Sequence, residues 1–274
     1  MTNKSTLFIE NKSQLIKYFI DGIKKDTNLK IGVEHEKFLF NKDDLKRINY
    51  KKLQHVFEIL KDKGWKPEHE KDKVIGLKRD KQKITTEPGF QYELSGAPFK
   101  NIHSVCSENN SHFSELKEVF SSASITTSSI AYDPFNKLVK IPKSPKERYK
   151  IMTSEMPKGG KLSLDMMYKT AGIQINYDYT SEEDFEKKFK IGNYLAPLTI
   201  ALFANSPFNE KKFSGFLSYR GKVWQETSRG GIMPITFEKL NFEKYIDYAI
   251  NYPILFLKKK ENTSRLMVKL LKTF

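Results

Sequence analysis

The chain has 274 residues and a formal net charge of +15, with 38% hydrophobic and 13% aromatic residues. That apolar content excludes a disordered polypeptide, and no run approaches the ~18 apolar residues of a membrane-spanning helix. The single cysteine, Cys106, excludes an intramolecular disulfide, which fits a reducing compartment; with no apolar signal region at the N-terminus, a cytoplasmic protein without membrane contact is expected. The excess lysines are scattered rather than gathered into a basic stripe interleaved with aromatics, so no nucleic-acid partner is expected. A basic nucleic-acid-binding module remains the alternative that charge alone motivates.

In chain order, residues 11–23 place Leu15, Ile16, Phe19, Ile20 and Ile23 at helical spacing, with Ser13 as a candidate cap. Ile31 to Phe40 reads as a strand. Side chains alternate along it, so Glu34 and Glu36 share a face with Gly32 and Phe38, while His35 points the other way with Val33 and Lys37. Two carboxylates so placed are either the solvated face of an edge strand or a grip on a hard cation such as Mg²⁺. Tyr50 to Lys63 is helical and ends at Gly64. A polar connection from Trp65 then holds a strand from Val74 to Arg79. Lys83 to Pro98 forms two short extended pieces about a Pro88–Gly89 turn, with Gln91 and Glu93 on one face and Tyr92 and Leu94 on the other. This is either a plain hairpin with polar residues outward or a second acidic strand beside Glu34 and Glu36.

Asn101 to Phe120 reads as a helix capped by Asn101, with Ile102, Val105, Cys106, Asn109, Phe113 and Leu116 as its stripe; Cys106 is then a small core residue rather than a nucleophile. Ser121 to Ser129 is a short Ser/Thr-rich connection. In Met156 to Gly160, two glycines beside Lys158 could meet a phosphate or simply form a loop. Leu162 to Thr170 is helical. Gly172 to Tyr179 is a half-buried strand with Gln174, Asn176 and Asp178 opposite Ile173, Ile175, Tyr177 and Tyr179. Ser181 caps a helix over 182–193 whose acidic first turn and later lysines suit its dipole, and Leu195 to Asn205 is apolar and mostly core. Gly215 to Gln225 carries Arg220, whose planar guanidinium suits a carboxylate when it is not a surface ion pair. Tyr245 to Ile254 is a last amphipathic piece before Lys258-Lys259-Lys260.

G-V-E-H-E-K-F followed by T-x-E-P-G-x-Q-Y-E-L-S-G-A-P resembles the plant and proteobacterial type of glutamate–cysteine ligase, a carboxylate–amine ligase that shares its catalytic fold with glutamine synthetase. The likeness continues through N-I-H-S-V-C-S-E-N-N-S-H, R-Y-K-I-M, M-P-K-G-G, L-D-M-M, G-I-Q-I-N-Y-D-Y, A-L-F-A-N-S-P-F and G-F-L-S-Y-R, from about Ile31 to Phe256. It implies an α+β fold, an antiparallel sheet forming a cradle with helices packed outside. It further implies ATP-dependent joining of the glutamate γ-carboxylate to the amine of cysteine through a γ-glutamyl phosphate, the first step of glutathione synthesis. No covalent protein nucleophile is expected. By the same resemblance Glu34, Glu36 and Glu93 hold Mg²⁺, Gln174 and Lys158 lie by the nucleotide, and Asn176 and Arg220 hold the amino-acid substrate.

The sequence also departs from the family. Family members continue well past the end of this chain with a Y-L-E-x-R-G-A-D motif, whereas 258–274 is a basic tail unlike them. Residues 1–257 therefore read as one incomplete ligase domain. A truncated remnant, or half of a split ligase completed by a C-terminal chain, is the alternative. Thr153 and Lys169 stand where arginines are usual, and the loop holding Arg229 is shorter than the family's.

Overall fold

The computed structural model describes residue 9, residues 11–228, 230–258 and 263–270; from 253 onward the backbone alone is described. In chain order the strands are β1 (Ile31–Asn41), β2 (Lys66–Glu70), β3 (Lys73–Arg79), β4 (Gln82–Thr86), β5 (Tyr92–Ser95), β6 (Ile125–Ser128), β7 (Ile173–Tyr177), β8 (Phe208–Asn209), β9 (Lys212–Phe213), β10 (Pro253–Lys258) and β11 (Thr263–Leu270). The helices are α1 (Lys12–Ile20), α2 (Tyr50–Asp62), α3 (Ile102–Ser122), α4 (Glu147–Glu155), α5 (Ser163–Lys169), α6 (Glu182–Leu202), α7 (Tyr219–Gln225) and α8 (Phe242–Ile250). The architecture is α+β, an antiparallel sheet with helices packed around it.

β1 is the axis of that sheet. It pairs with β5 on one side, and on the other with β7 along its first half and β6 along its second, all antiparallel. The sheet continues outward from β5 through β4 and β3 to β2. One face is closed by apolar packing: Leu39, Leu77, Ile84, Tyr92 and Leu94 meet Leu53, Val56, Phe57 and Leu60 of α2 and Leu116, Val119 and Phe120 of α3. Burial of this scale is the main term holding such a domain together. Alternation then forces Glu93 of β5, and Glu34 and Glu36 of β1, onto the opposite face. Asn49 and Asn101 cap α2 and α3 by accepting from the amides of Lys52 and Ser104, and Gly64, at φ +90°, ends α2. A separate ring cluster of Phe19, Phe185, Phe242 and Tyr245 ties α1, α6 and α8 together.

Several sequence expectations are corrected. Asn11, not Ser13, caps α1, its side chain accepting from the Gln14 amide. The polar connection after Trp65 contains β2, whose lysine, proline and glutamates mask a strand that is held by pairing to β3. The Ser/Thr-rich connection contains β6. On α3 the buried stripe is Val105, His112, Leu116, Val119 and Phe120, while Ile102, Phe113 and Cys106 are exposed. A histidine occupies a core position there because it stacks on Tyr92, which also hydrogen-bonds it. Strand β7 is exposed along its whole length rather than half-buried. α6 runs through Pro197 to Leu202, and the stretch from Leu195, expected in the core, has no buried residue within the helix. No described helix is long and apolar enough to cross a membrane.

Candidate functional site

The open face of the sheet gathers most of the predicted side chains. Glu36 lies directly across from Glu93, and Glu34 across from Gln174, with Asn176 across from Gly32. Glu34, Glu36, Glu93, Gln174 and Asn176 thus share one face, as the alternation along β1, β5 and β7 requires. Gln174 Nε2 donates to Asn176 Oδ1 at 3.2 Å, and Asn176 Nδ2 donates to Glu34 Oε1 at 3.2 Å. Ser95 Oγ donates to Glu93 Oε1 at 2.6 Å. The backbone amide of Gly172 donates to Glu36 Oε2 at 2.8 Å.

Burial, with Glu87 and Glu93 nearby, pushes the Glu36 carboxyl up to about 7 against the opposing pull of the Gly172 amide and Arg220. Glu87, just before the Pro88–Gly89 turn, is raised by the same two effects: burial, then Glu93. Its neighbours are basic or hydroxylic: Lys146, Arg148 and Tyr149, the last donating to Glu87 Oε1 at 3.3 Å. Tyr149 and Lys146 also donate to the carbonyl of Thr86, at 3.1 and 2.7 Å, which pins the start of α4 to the end of β4. Glu87, Lys146 and Arg148 were not singled out in the sequence as site residues. Glu87 is visible in T-x-E-P-G as a third acid, but only the fold brings it to Glu93.

Arg220 sits in the first turn of α7, where Ser218 caps the helix and the Arg220 amide donates to Ser206 Oγ at 3.2 Å. Its guanidinium lies over Trp224 and against Gly172, where an added Cβ would stand 3.0 Å from Nη2. Arg220 therefore reaches the Glu36 end of the face, and its buried Nε has no hydrogen-bond partner among the described residues. A buried, unpaired guanidinium nitrogen is costly unless a ligand completes it.

Lys158 is engaged elsewhere: its ammonium is held by Glu155 at 2.6 Å. The glycines beside it have a packing reason. A Cβ on Gly159 would stand 2.7 Å from Ser228 Oγ, and one on Gly160 would collide with the carbonyl of Glu226. Lys169 is buried, donates to Asn209 Oδ1 at 2.7 Å and lies over Tyr132. Thr153 bonds Tyr168. Arg229 and residues 259–262 and 271–274 of the tail lie outside the described residues.

The reverse face of β1 carries His35 and Lys37. Burial, then Lys37 and His112, hold His35 down at about 4; burial brings Lys37 down to about 8, its ammonium over the Phe113 ring. A cleft of about 720 Å³ runs along α3 past Arg79, Gln82, His103 and Glu108 and touches none of the acidic-face residues.

The donor chemistry of the acidic face suits a hard divalent cation: carboxylate oxygens, partly buried, mutually repelling, and with no lysine or arginine among the described residues ion-paired to Glu36 or Glu93. Among the described residues, no three of His, Cys, Asp and Glu stand close enough together to hold one ion.

A family model described as glutamate-cysteine ligase family 2 matches residues 30–274. The chain is 43% identical over 250 residues to the chloroplastic glutamate–cysteine ligase A of Oryza sativa subsp. japonica, covering 90% of this chain and 51% of that protein. It is 41% identical over 254 residues to the chloroplastic glutamate–cysteine ligase of Nicotiana tabacum, covering 91% and 49%. With that of Arabidopsis thaliana it shares 42% over 253 residues, covering 91% and 48%. The chain spans about half the length of the curated relatives it matches.

Proposed function

The chain belongs to the glutamate-cysteine ligase family 2, and on that premise we propose that it supplies the acidic sheet and the substrate-binding arginine of an ATP-dependent ligase. The reaction joins the γ-carboxylate of glutamate to the amine of cysteine, the first step of glutathione synthesis. The observation that carries this reading is the Glu36–Glu93 pair with Arg220 beside Glu36 across Gly172. A carboxylate is a poor electrophile, so the γ-carboxylate is first phosphorylated by ATP to an acyl phosphate. The amine of cysteine then attacks and phosphate leaves.

In this reading Glu34, Glu36 and Glu93 would hold Mg²⁺ between them, no single ion taking all three, and the bound metal would offset the charge on the triphosphate and on the transferring phosphoryl group. The unpaired edge of Arg220 takes a substrate carboxylate in a planar two-pronged contact. Asn176 orients the amino acid from the far side of Glu34, and Gln174 lies by the nucleotide. The backbone of Gly172 holds Glu36 in place. Most of the rate then comes from alignment of the reactants. Lys158 at the nucleotide requires release from Glu155.

The test is γ-glutamylcysteine formation by the purified chain with glutamate, cysteine, ATP and Mg²⁺. Product that falls at least a hundredfold in Glu93→Gln supports the reading. Absence of product from the folded chain alone overturns it as a complete enzyme. Half-length coverage favours a second reading, one half of a split ligase; there, product appears only when the remaining half of the family domain is added.

A further inference from the structure

The chain between Glu87 and Glu93 makes a turn with an unusual backbone. Pro88–Gly89 is followed by Phe90, which is 1% exposed and stands at φ +59°. A bulky residue in the left-handed region is strained, and such a conformation persists only where its surroundings over-determine it. Two buried polar side chains do so here. Gln91, itself 1% exposed, accepts from the Gly89 amide at 2.8 Å through Oε1 and donates through Nε2 to the carbonyls of Met167 and Thr170 at 3.0 and 2.9 Å. Both amide protons and the amide oxygen are thereby engaged. Arg47, whose side chain is fully buried with that of Asp133, donates to the carbonyls of Gly89 and Tyr168. The turn presses so closely on the end of α5 that a Cβ on Gly89 would stand 2.7 Å from the Tyr168 carbonyl oxygen.

The Gln91 side chain joins two pieces of backbone that each arrive at the site two residues further on. Gln91 is followed by Tyr92 and Glu93, and Thr170 by Ala171 and Gly172. Glu93 lies across from Glu36. The Gly172 amide donates to Glu36 Oε2, and the Gly172 carbonyl accepts from the Glu36 amide at 2.9 Å. Arg220 packs against Gly172. Glu93 and the backbone that meets the guanidinium thus stand on separate segments, and one buried amide spans them. An apolar side chain of similar size would fill the same space without bonding either carbonyl, so what the amide adds is distance and orientation rather than volume. We propose that Gln91 is a positioning residue of the ligase site: its side-chain amide sets how far the Glu36–Glu93 pair stands from Arg220, and so where a bound cation lies relative to the carboxylate of the amino-acid substrate. The proposal rests on the ligase reading and deepens it, since that reading asks the site for alignment rather than for a protein nucleophile. Gln91 acts through Glu93 and Gly172 and touches neither metal nor substrate itself.

The test uses the chain with L-glutamate and with Mn²⁺ in place of Mg²⁺, without nucleotide or cysteine. The paramagnetic ion speeds relaxation of the glutamate γ-protons, an effect that falls steeply as metal and substrate move apart. In the unaltered chain a clear enhancement is expected. Gln91→Met, which keeps the bulk and loses the amide, is expected to reduce it at least threefold, while the Kd values for Mn²⁺ and for glutamate, each measured by calorimetry, stay within threefold. Gln91→Asn keeps an amide that is too short to reach all three partners. It is expected to act in the same direction, and it decides the matter should Gln91→Met not fold, as judged by circular dichroism and thermal unfolding. Gln54→Met removes a comparable bond, from the Gln54 amide on α2 to the Val74 carbonyl at 3.2 Å, and is expected to leave the relaxation unchanged. Full enhancement in a folded Gln91 variant, or an equal loss in Gln54→Met, would overturn the proposal. So would affinities that fall together with the melting temperature, or failure of both Gln91 variants to fold, because each marks Gln91 as a support of the fold alone. No enhancement in the unaltered chain would sink the ligase reading and this assignment with it, whereas enhancement that survives the loss of the amide would sink this assignment alone.

Discussion

At the scale of single residues, the site depends on close approaches that small changes disturb. Arg220→Lys keeps the charge and loses the planar fork. In the active assembly it is expected to raise the KM for glutamate about 10- to 100-fold with a smaller change in kcat, read from initial rates at saturating ATP. Gly160→Ala drives a methyl into the Glu226 carbonyl, which is expected to cost about 1–3 kcal/mol of stability in denaturant titration. Glu115 gives a pH signature. Burial pushes its carboxyl up, but hydrogen bonds from His112, Arg79 and Trp65 outweigh that and hold it at about 2. Its folded value lies below the unfolded one, so the stability it contributes is present above about pH 4.5. That contribution is lost as the pH falls toward 2. In Glu115→Gln the acid side of the stability profile is expected to flatten over that window, followed by thermal unfolding against pH. Of the site, Glu34, Glu36 and Glu93 could be read in the sequence because strand alternation alone puts them on one face. Glu87 could not, because its approach to Glu93 arises from the turn at Pro88–Gly89 and the packing of α4.

At the scale of elements, the strands and helices with clean periodicity were legible and the face they bury sometimes was not. β1, α2 and α5 stand within a residue or so of where the pattern puts them, and β4 and β5 fall on the two extended pieces either side of Pro88–Gly89. Helix α3 was legible as a helix, yet two apolar stripes compete along it, one through Ile102, Cys106 and Phe113 and one through Val105, Leu116 and Val119. His112 decides between them by stacking on Tyr92, a contact no local pattern contains. Leu116→Ala is therefore expected to cost about 2–5 kcal/mol and Phe113→Ala under about 1 kcal/mol, measured by chemical denaturation. Asn101→Ala, which removes the cap, is expected to cost about 1 kcal/mol by the same measurement. Strand β2 was illegible because a lysine, a proline and two glutamates describe its role as a guarded edge, which in sequence looks like a loop. The 195–202 stretch misled in the opposite sense: its apolar residues signal burial, and none of them is buried in the described chain.

At the scale of the molecule, stability is concentrated where β1, β3, β4 and β5 meet α2 and α3. Native-state hydrogen exchange is expected to find its slowest amides in β1, β5 and α2, with β7 and the second half of α6 exchanging far faster in the isolated chain. Half the site face is therefore rigid and half is held from one side only. The resemblance to a longer family was legible in the motifs, whereas the exposure of β7 could be read only from the fold. The strand at the centre of this arrangement also carries a parity constraint. Glu34 and Glu36 face the site while His35 and Lys37 face α3, so losing a single residue between Ile31 and Val33 while keeping the pairing would exchange the two sets. An imidazole and an ammonium would then line the open face, and two carboxylates would be driven against the aromatic wall of α3. Length at the start of β1 is thus tied to the sign of the charge that the hollow displays, and point substitutions there are tolerable where insertions and deletions are not.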